Sequence, residues 1–400
     1  METIGKCRLL SKECNSITYE STFTDLHIQR TNTLSGFFIQ NLKGLKVNSF
    51  FVSNNTSNSY RKLSLNFLPD RRVAIEASTK QGILLCRTNH PRYYVCKPTT
   101  KQWQRIPNPK TRYETVAIGM LVIRSKPLHY KIVKFSLPKV RCHDRDFFRY
   151  YCHRCELFDS KTWTWKQLEE VKMPKHESLY PKSIVSVSGS LHWLTWVKNI
   201  FAFHVNEESY SMFSLPLPVS EDDNGTDIAL VEYEGKLAVT YAGTKESSME
   251  LWVMENYEKK EWNKRYTINI EAVRRKEPYA RPIAFYNADI ALMKEYNHHV
   301  TFFNFKNGSV ARLPLKNSSN HACFPFQSDF EPCDLMDGFS LKHLQGGRGR
   351  SKSKRTKWQL GLGQYFALSP KNLFLFLLLA FSFFCFGSRS VDSQITVVED

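Results

Sequence analysis

Zinc binding is the first chemistry the sequence invites. Cys142-His143 and Cys152-His153-Arg154-Cys155 set thiols beside imidazoles in close pairs, the donor types a tetrahedral zinc site uses. Only one true C-x-x-C occurs there, and no second pair follows at finger spacing. Cys155 also opens an apolar run, so packing is the stronger reading and no metal ligand is assigned. His298-His299 falls in a turn and reads as solvent-facing, and Glu221-Asp222-Asp223 reads as a solvated loop rather than a cation site. Gly346-Gly347-Arg348-Gly349 follows no strand, so it lacks the strand-to-helix setting of a phosphate cradle. Nucleophile elbows and His-Glu-x-x-His pairs are missing from the sequence. The chain therefore reads as a non-enzyme with no catalytic residue and no cofactor.

What remains is binding, and the elements that would present it recur. Val95 to Pro109, VCKPTTKQWQRIPNP, reads as a strand, a polar turn and a second strand entered by Trp103; Pro107 and Pro109 end the pairing because proline has no amide hydrogen to give. The same design returns at Cys155–Val171, Phe201–Pro216, Leu251–Ile268 and Val300–Pro314. Trp103, Trp163, Tyr210, Trp262 and Val310 mark the bulky position at a period of about 50 residues. A shorter strand precedes each hairpin: GILLCR, HYKIVKF, GSLHWLTW, GKLAVTYA and DIALMKEY.

Two patterns sharing one period indicate a repeated unit of three or four strands, which at this length means a propeller of the kelch size. The alternative is a large irregular β-sandwich. Trp103, Trp163, Trp165, Trp193, Trp196, Trp252 and Trp262 are expected on strands, in the core between blades. Leu34 to Asp70 either completes the first blade or pairs near the end of the ring. Ser220–Thr226 and Asn317–Asp337 are expected to be the long loops.

Composition agrees with one repeat domain. Of 400 residues 42% are hydrophobic, and the 28 Phe and 18 Tyr suit sheets packed face to face. The formal charge of +18 would permit nucleic-acid contact, but part of it lies in one tail segment and no nucleic-acid partner is assigned. The N-terminus has no apolar run to serve as a secretory signal. The ten cysteines are accordingly read as reduced thiols, the Asn-x-Ser/Thr sites as unmodified, and the compartment as cytoplasm or nucleus.

Residues 1–30 differ from the rest. Leu9, Leu10 and Ile17 have helical spacing, and KCRLLSKECNSI followed by Phe23 and LHIQR resembles the second half of a plant F-box. The repeats downstream resemble the F-box-associated domain of the same plant family. VCKPTTKQWQRIPNP matches its N-P-x-T-x-x-W-x-x-L-P-x-P segment, YKIVKF its D-Y-K-V-V strand, CELFDSKTWTWKQL its E-V-[YF]-S…W segment and GSLHWLTW its G-x-x-Y-W-L strand. The chain begins inside the F-box motif, and Cys14 stands where the family has tryptophan. The fold class is thus all-β: a β-propeller-like F-box-associated domain at 34–345 behind a short N-terminal helical F-box remnant at 1–30.

The resemblance implies a substrate-recognition subunit of a Skp-cullin-F-box ubiquitin ligase. Its propeller would hold an unidentified target protein, while Leu9, Leu10, Lys12 and Ile17 would contact the Skp-type adaptor that leads to the cullin. The other reading is a stand-alone protein-binding propeller without ligase activity, because the F-box is incomplete.

After the repeats the composition changes. A basic flexible linker at 346–358 carries six Lys or Arg and no acid within Gly346–Lys357; a nuclear address, a contact for anionic lipid and a solvated linker are its three readings. Leu373–Phe386 is fourteen residues without a charge, with Leu373, Phe374, Leu377, Leu378, Phe381 and Phe384 at its heart. As a helix it spans about 21 Å, short of the ~30 Å hydrocarbon core unless extended back toward Tyr365. A transmembrane helix at 359–387, with a short tail at 388–400, would make this a tail-anchored membrane protein facing the cytosol.

Overall fold

The computed structural model describes residues 7, 9–18, 23, 33–43, 46–53, 63–90, 92–110, 113–137, 150–174, 177–216, 226–243, 247–295, 299–315 and 321–335. Cys142-His143, the acidic run at 221–223, His298, the basic linker and the whole apolar run with Leu373, Phe374, Leu377, Leu378, Phe381 and Phe384 lie outside them. No helix among the described residues is long and apolar enough to cross a membrane.

The recurring hairpins form six antiparallel sheets arranged as the blades of a propeller. The second blade is β3 (Val73–Ser78), β4 (Leu84–Thr88), β5 (Tyr93–Lys97) and β6 (Gln102–Ile106); the third is β7 (Thr115–Ser125), β8 (Leu128–Ser136), β9 (Tyr150–Asp159) and β10 (Thr164–Gln167), with β11 (Val171–Pro174) also on β9. The fourth is β12 (Leu179–Val187), β13 (Ser190–Thr195), β14 (Asn199–His204) and β15 (Ser209–Ser214). The fifth is β16 (Thr226–Tyr233), β17 (Lys236–Gly243), β18 (Ser248–Asn256) and β19 (Glu261–Asn269). The sixth is β20 (Arg281–Phe285), β21 (Ile290–Lys294), β22 (His299–Asn304) and β23 (Val310–Pro314). Two short helices complete the described elements, α1 (Lys12–Ile17) and α2 (Glu271–Arg274).

The first blade joins the two ends of the ring. β1 (Leu34–Lys43) and β2 (Lys46–Val52) are its outer strands, and β24 (His321–Ser328) is its innermost, paired antiparallel to β1 from Leu34↔Ser328 to Asn41↔His321. Asn317–Asp337 is therefore not the expected long loop, because it contains the strand that closes the propeller. Pro325 disguises that strand. A proline withholds its amide from the ladder, so it is tolerated on an edge, and β24 pairs only with β1.

Packing between blades supplies the core. Tyr93 and Val95 meet Tyr130, Phe158 and Trp165 across the second interface, and Trp165 Nε1 donates to the Pro107 carbonyl at 2.7 Å. Phe135 meets Trp193, Phe201 and Phe203 across the next, with ring centroids 5.4–5.7 Å apart in edge-to-face geometry, an arrangement that adds about 0.5–1.5 kcal/mol per pair beyond burial. Phe38, Phe324 and Phe326 join the first blade to the second, and Phe37 and Ile39 join it to Leu292 and Phe302 of the sixth. The ring is closed on both sides of β1.

Turn chemistry explains the hairpins. Ser188-Gly189 and Glu234-Gly235 have positive φ at both residues, as a two-residue turn of the hand that matches strand twist demands. Lys101, Trp163, Glu208 and Lys260 also take positive φ, each as the last residue of the turn before an outermost strand. Trp163 thus lies in a turn rather than on a strand, although it still packs on Phe158 at 5.5 Å.

The central channel and the N-terminal segment

The innermost strands β3, β7, β12, β16, β20 and β24 touch one another in ring order and enclose a cavity of about 1060 Å³. Of these, β3, β7, β12, β16 and β20 each turn into the second strand of their blade at one face of the disc, here the turn face. The connections between blades enter at the other, the loop face.

At the turn face Lys80, from the β3–β4 turn, reaches Glu232 at the end of β16 with Nζ–Oε1 of 2.6 Å. These belong to the second and fifth blades, which stand opposite each other, so the ion pair spans the channel. Both side chains are wet, and such a pair contributes at most about 1 kcal/mol. Its effect is steric and electrostatic, a neutralised bar across the turn face. Burial pushes the nearby Glu234 carboxyl above the usual carboxylate range.

The loop face is different. Trp196 follows β13 in a turn, 63% exposed, beside the exposed Tyr180 at a ring-centroid distance of 6.3 Å. Its amide is held by the Ser178 carbonyl at 2.9 Å. The expectation that Trp196 packs in the blade core is overturned: β13 stops at Thr195, and the turn through Lys198, with φ of 61°, swings the indole outward. Of the other tryptophans, Trp193 is fully buried, whereas Trp103 lies partly open on the outer strand β6, edge-on to Tyr94 at 5.7 Å. Around the same mouth Arg281 binds Asp227 at 2.7 Å, and Lys198 and Lys294 line the wall.

Of the candidate zinc residues, Cys152, His153 and Cys155 lie on β9. Cys155 is in the core between the third and fourth blades, where burial pushes its thiol up to about 12. His153 is buried and held below the ordinary imidazole range by that burial. No group of three metal-ligating side chains exists among the described residues. His299 begins β22.

The N-terminal segment presents the expected adaptor residues outward. Leu9 is 87% exposed, Leu10 74% and Ile17 47%, and Lys12 is exposed as well. Ser11 caps α1 by accepting from the Cys14 amide at 3.1 Å, a typical N-cap bond. Thr18 and Phe23, by contrast, turn toward the propeller and line the channel cavity.

The described strands form a six-bladed β-propeller crossed at its turn face by the Lys80–Glu232 ion pair. The chain matches the F-box associated beta propeller domain over residues 37–320, and it belongs to that family. It is similar to an F-box protein of Arabidopsis thaliana, 46% identical over 144 residues, covering 33% of this chain and 77% of that protein. A second Arabidopsis F-box protein is 27% identical over 56% of this chain and 63% of its own length. An Arabidopsis F-box/LRR-repeat protein is 25% identical over 82% and 83% respectively.

Proposed function

We propose that this chain is the substrate-recognition subunit of a Skp-cullin-F-box ubiquitin ligase. The propeller binds a target protein, the N-terminal segment docks on a Skp-type adaptor, and the cullin-borne machinery performs the chemistry. The chain makes and breaks no bonds itself, and it works in the cytoplasm or nucleus. Membership of the F-box-associated family supports this reading, but one structural observation carries it: Leu9 and Leu10, in the turn before the short capped helix α1, and Ile17 at its end are all open to solvent. Clustered exposed leucines are a docking surface by default, and a helix of this length buries too little to be stable without a partner.

The test is affinity purification of the tagged full-length protein from plant tissue. A Skp-type adaptor and a cullin should co-purify, and Leu9→Asp with Leu10→Asp should remove both. Absence of any adaptor from the wild-type preparation would refute the ligase role. The apolar run Leu373–Phe386 favours a second reading, a binding propeller held at a membrane by its tail. Carbonate extraction separates the two, since a fully extractable protein has no such anchor.

A further inference from the structure

At the loop-face mouth the described residues hold more positive charge than they neutralise. Lys198, Arg281 and Lys294 line it against Asp227 alone, and Asp227 is engaged by Arg281. Lys294 is the register partner of Arg281 across β20 and β21. It is half-buried, and no described carboxylate lies within ion-pair distance of it or of Lys198. Burial, with the Arg281 charge beside it, holds the Lys294 ammonium below the ordinary lysine range. A cation kept partly out of water, whose favourable described carboxylate Asp227 is already paired with Arg281, is an unfavourable arrangement that a bound anion relieves. Across the same mouth Trp196 and Tyr180 offer exposed aromatic surface, the residue types that most often anchor a protein interface.

We propose that this mouth binds an acidic peptide segment of the target, a carboxylate side chain reaching Lys294 while a neighbouring apolar residue lies on Trp196 and Tyr180. The inference rests on the reading of the chain as a target-binding subunit and names the site and chemistry of that recognition. A carboxylate is favoured over a phosphoryl group because the one described guanidinium fork here, Arg281, is already committed to Asp227. What remains is lysine, a point donor matched to a single negative charge. Lys198, at the rim, adds long-range attraction that speeds encounter. Among the described residues the turn face offers no equivalent, because Glu232 already neutralises Lys80.

The experiment uses the full-length protein and fluorescein-labelled eight-residue peptides carrying two Asp or Glu and one Leu or Trp. Controls are matched Asn/Gln peptides, Lys peptides and phosphoserine peptides, all read by fluorescence polarisation. Acidic peptides should bind about tenfold tighter than the amide controls, an advantage of about 1.4 kcal/mol, and the advantage should shrink in high salt. Lys294→Met should abolish that preference, and Lys294→Glu should reverse it toward Lys peptides, a gain that misfolding cannot mimic. Trp196→Ala should weaken acidic and amide peptides alike. No acidic preference in the wild type, including through occupation by the chain's own run at 221–223, overturns the proposal. So does a Lys294→Glu variant that keeps the wild-type preference, or a phosphoserine peptide that outbinds the acidic ones tenfold. These readouts need no adaptor, so their failure leaves the ligase reading standing, and loss of the adaptor contact leaves the peptide site standing.

Discussion

Acid should unfold this propeller through a histidine at its centre. His192, on β13, is fully buried. Its Nδ1–H donates to the Val185 carbonyl at 3.2 Å, which leaves Nε2 to accept the Tyr257 hydroxyl at 2.6 Å. Burial first, then the charges of Lys260 and His204, lower its pKa from 6.5 to about 4, against the opposing pull of the Val185 carbonyl. In the unfolded chain the imidazole takes a proton below pH 6.5, while in the folded chain it stays neutral until about pH 4. The unfolded state therefore binds the extra proton throughout that window. Stability is complete above pH 6.5 and falls as pH drops toward 4, the sign linkage requires when the unfolded state is the more protonated.

At about 1.4 kcal/mol per pH unit the loss reaches roughly 2 kcal/mol at pH 5 and roughly 3 kcal/mol at pH 4. That is a large fraction of the ~5–15 kcal/mol a folded domain commands. His153 and His204 are shifted in the same direction by burial and add to it. Carboxylates titrate over part of the same range, so the diagnostic quantity is a difference between proteins. Urea unfolding followed by tryptophan fluorescence at pH 7.5 and pH 5, on wild type and His192→Gln, supplies it. The variant should be less stable at pH 7.5 and should lose about 2 kcal/mol less on acidification. An undiminished pH dependence in His192→Gln refutes the reasoning.

Phe326→Ala should cost about 3–5 kcal/mol, because the ring sits edge-on to Phe38 at 5.1 Å and Phe51 at 5.8 Å in the closing blade. A urea-midpoint change equivalent to less than about 1 kcal/mol would mean β24 does not hold the ring together. Glu156→Gln should cost about 3–5 kcal/mol by stranding the buried Lys134 ammonium, which lies 3.2 Å from the carboxylate with both side chains under 4% exposed. The double variant Lys134→Met/Glu156→Leu should recover most of that, and failure to recover in a double-mutant cycle would place the cost in packing. Gly119→Val should lower the melting temperature through about 1–3 kcal/mol of overpacking, since any Cβ there meets Ile184 Cδ1 at 2.4 Å across the third blade interface. An unchanged melt would show that the interface relaxes freely.

The sequence carried the repeat but not the place where it begins. Hairpin after hairpin was legible because each needs an apolar strand, a turn able to hold positive φ and a bulky residue opening the outer strand. Those demands are local. Closure is not local: β24 lies some three hundred residues from β1 in the chain, and only an open edge on the channel side excuses its Pro325. Pro181 on β12 and Pro282 on β20 show the same tolerance, so on innermost strands proline marks a channel wall rather than a break. With that rule the short run HACFPFQS would have been read as a strand.

The site was harder to read for a related reason. In GSLHWLTW the two-residue period of a strand puts His192, Leu194 and Trp196 on one face and Trp193 on the other. The strand ends one residue before the pattern does. His192 and Trp193 are then fully buried on opposite faces of β13, while Trp196 stands in solvent. A period of two reports which way a side chain would point if the strand continued; it holds no information about where a turn cuts the strand. In a propeller those cut points are the rims, and the rims meet the partner. Rim residues such as Trp196 therefore sit where the repeat signal fails.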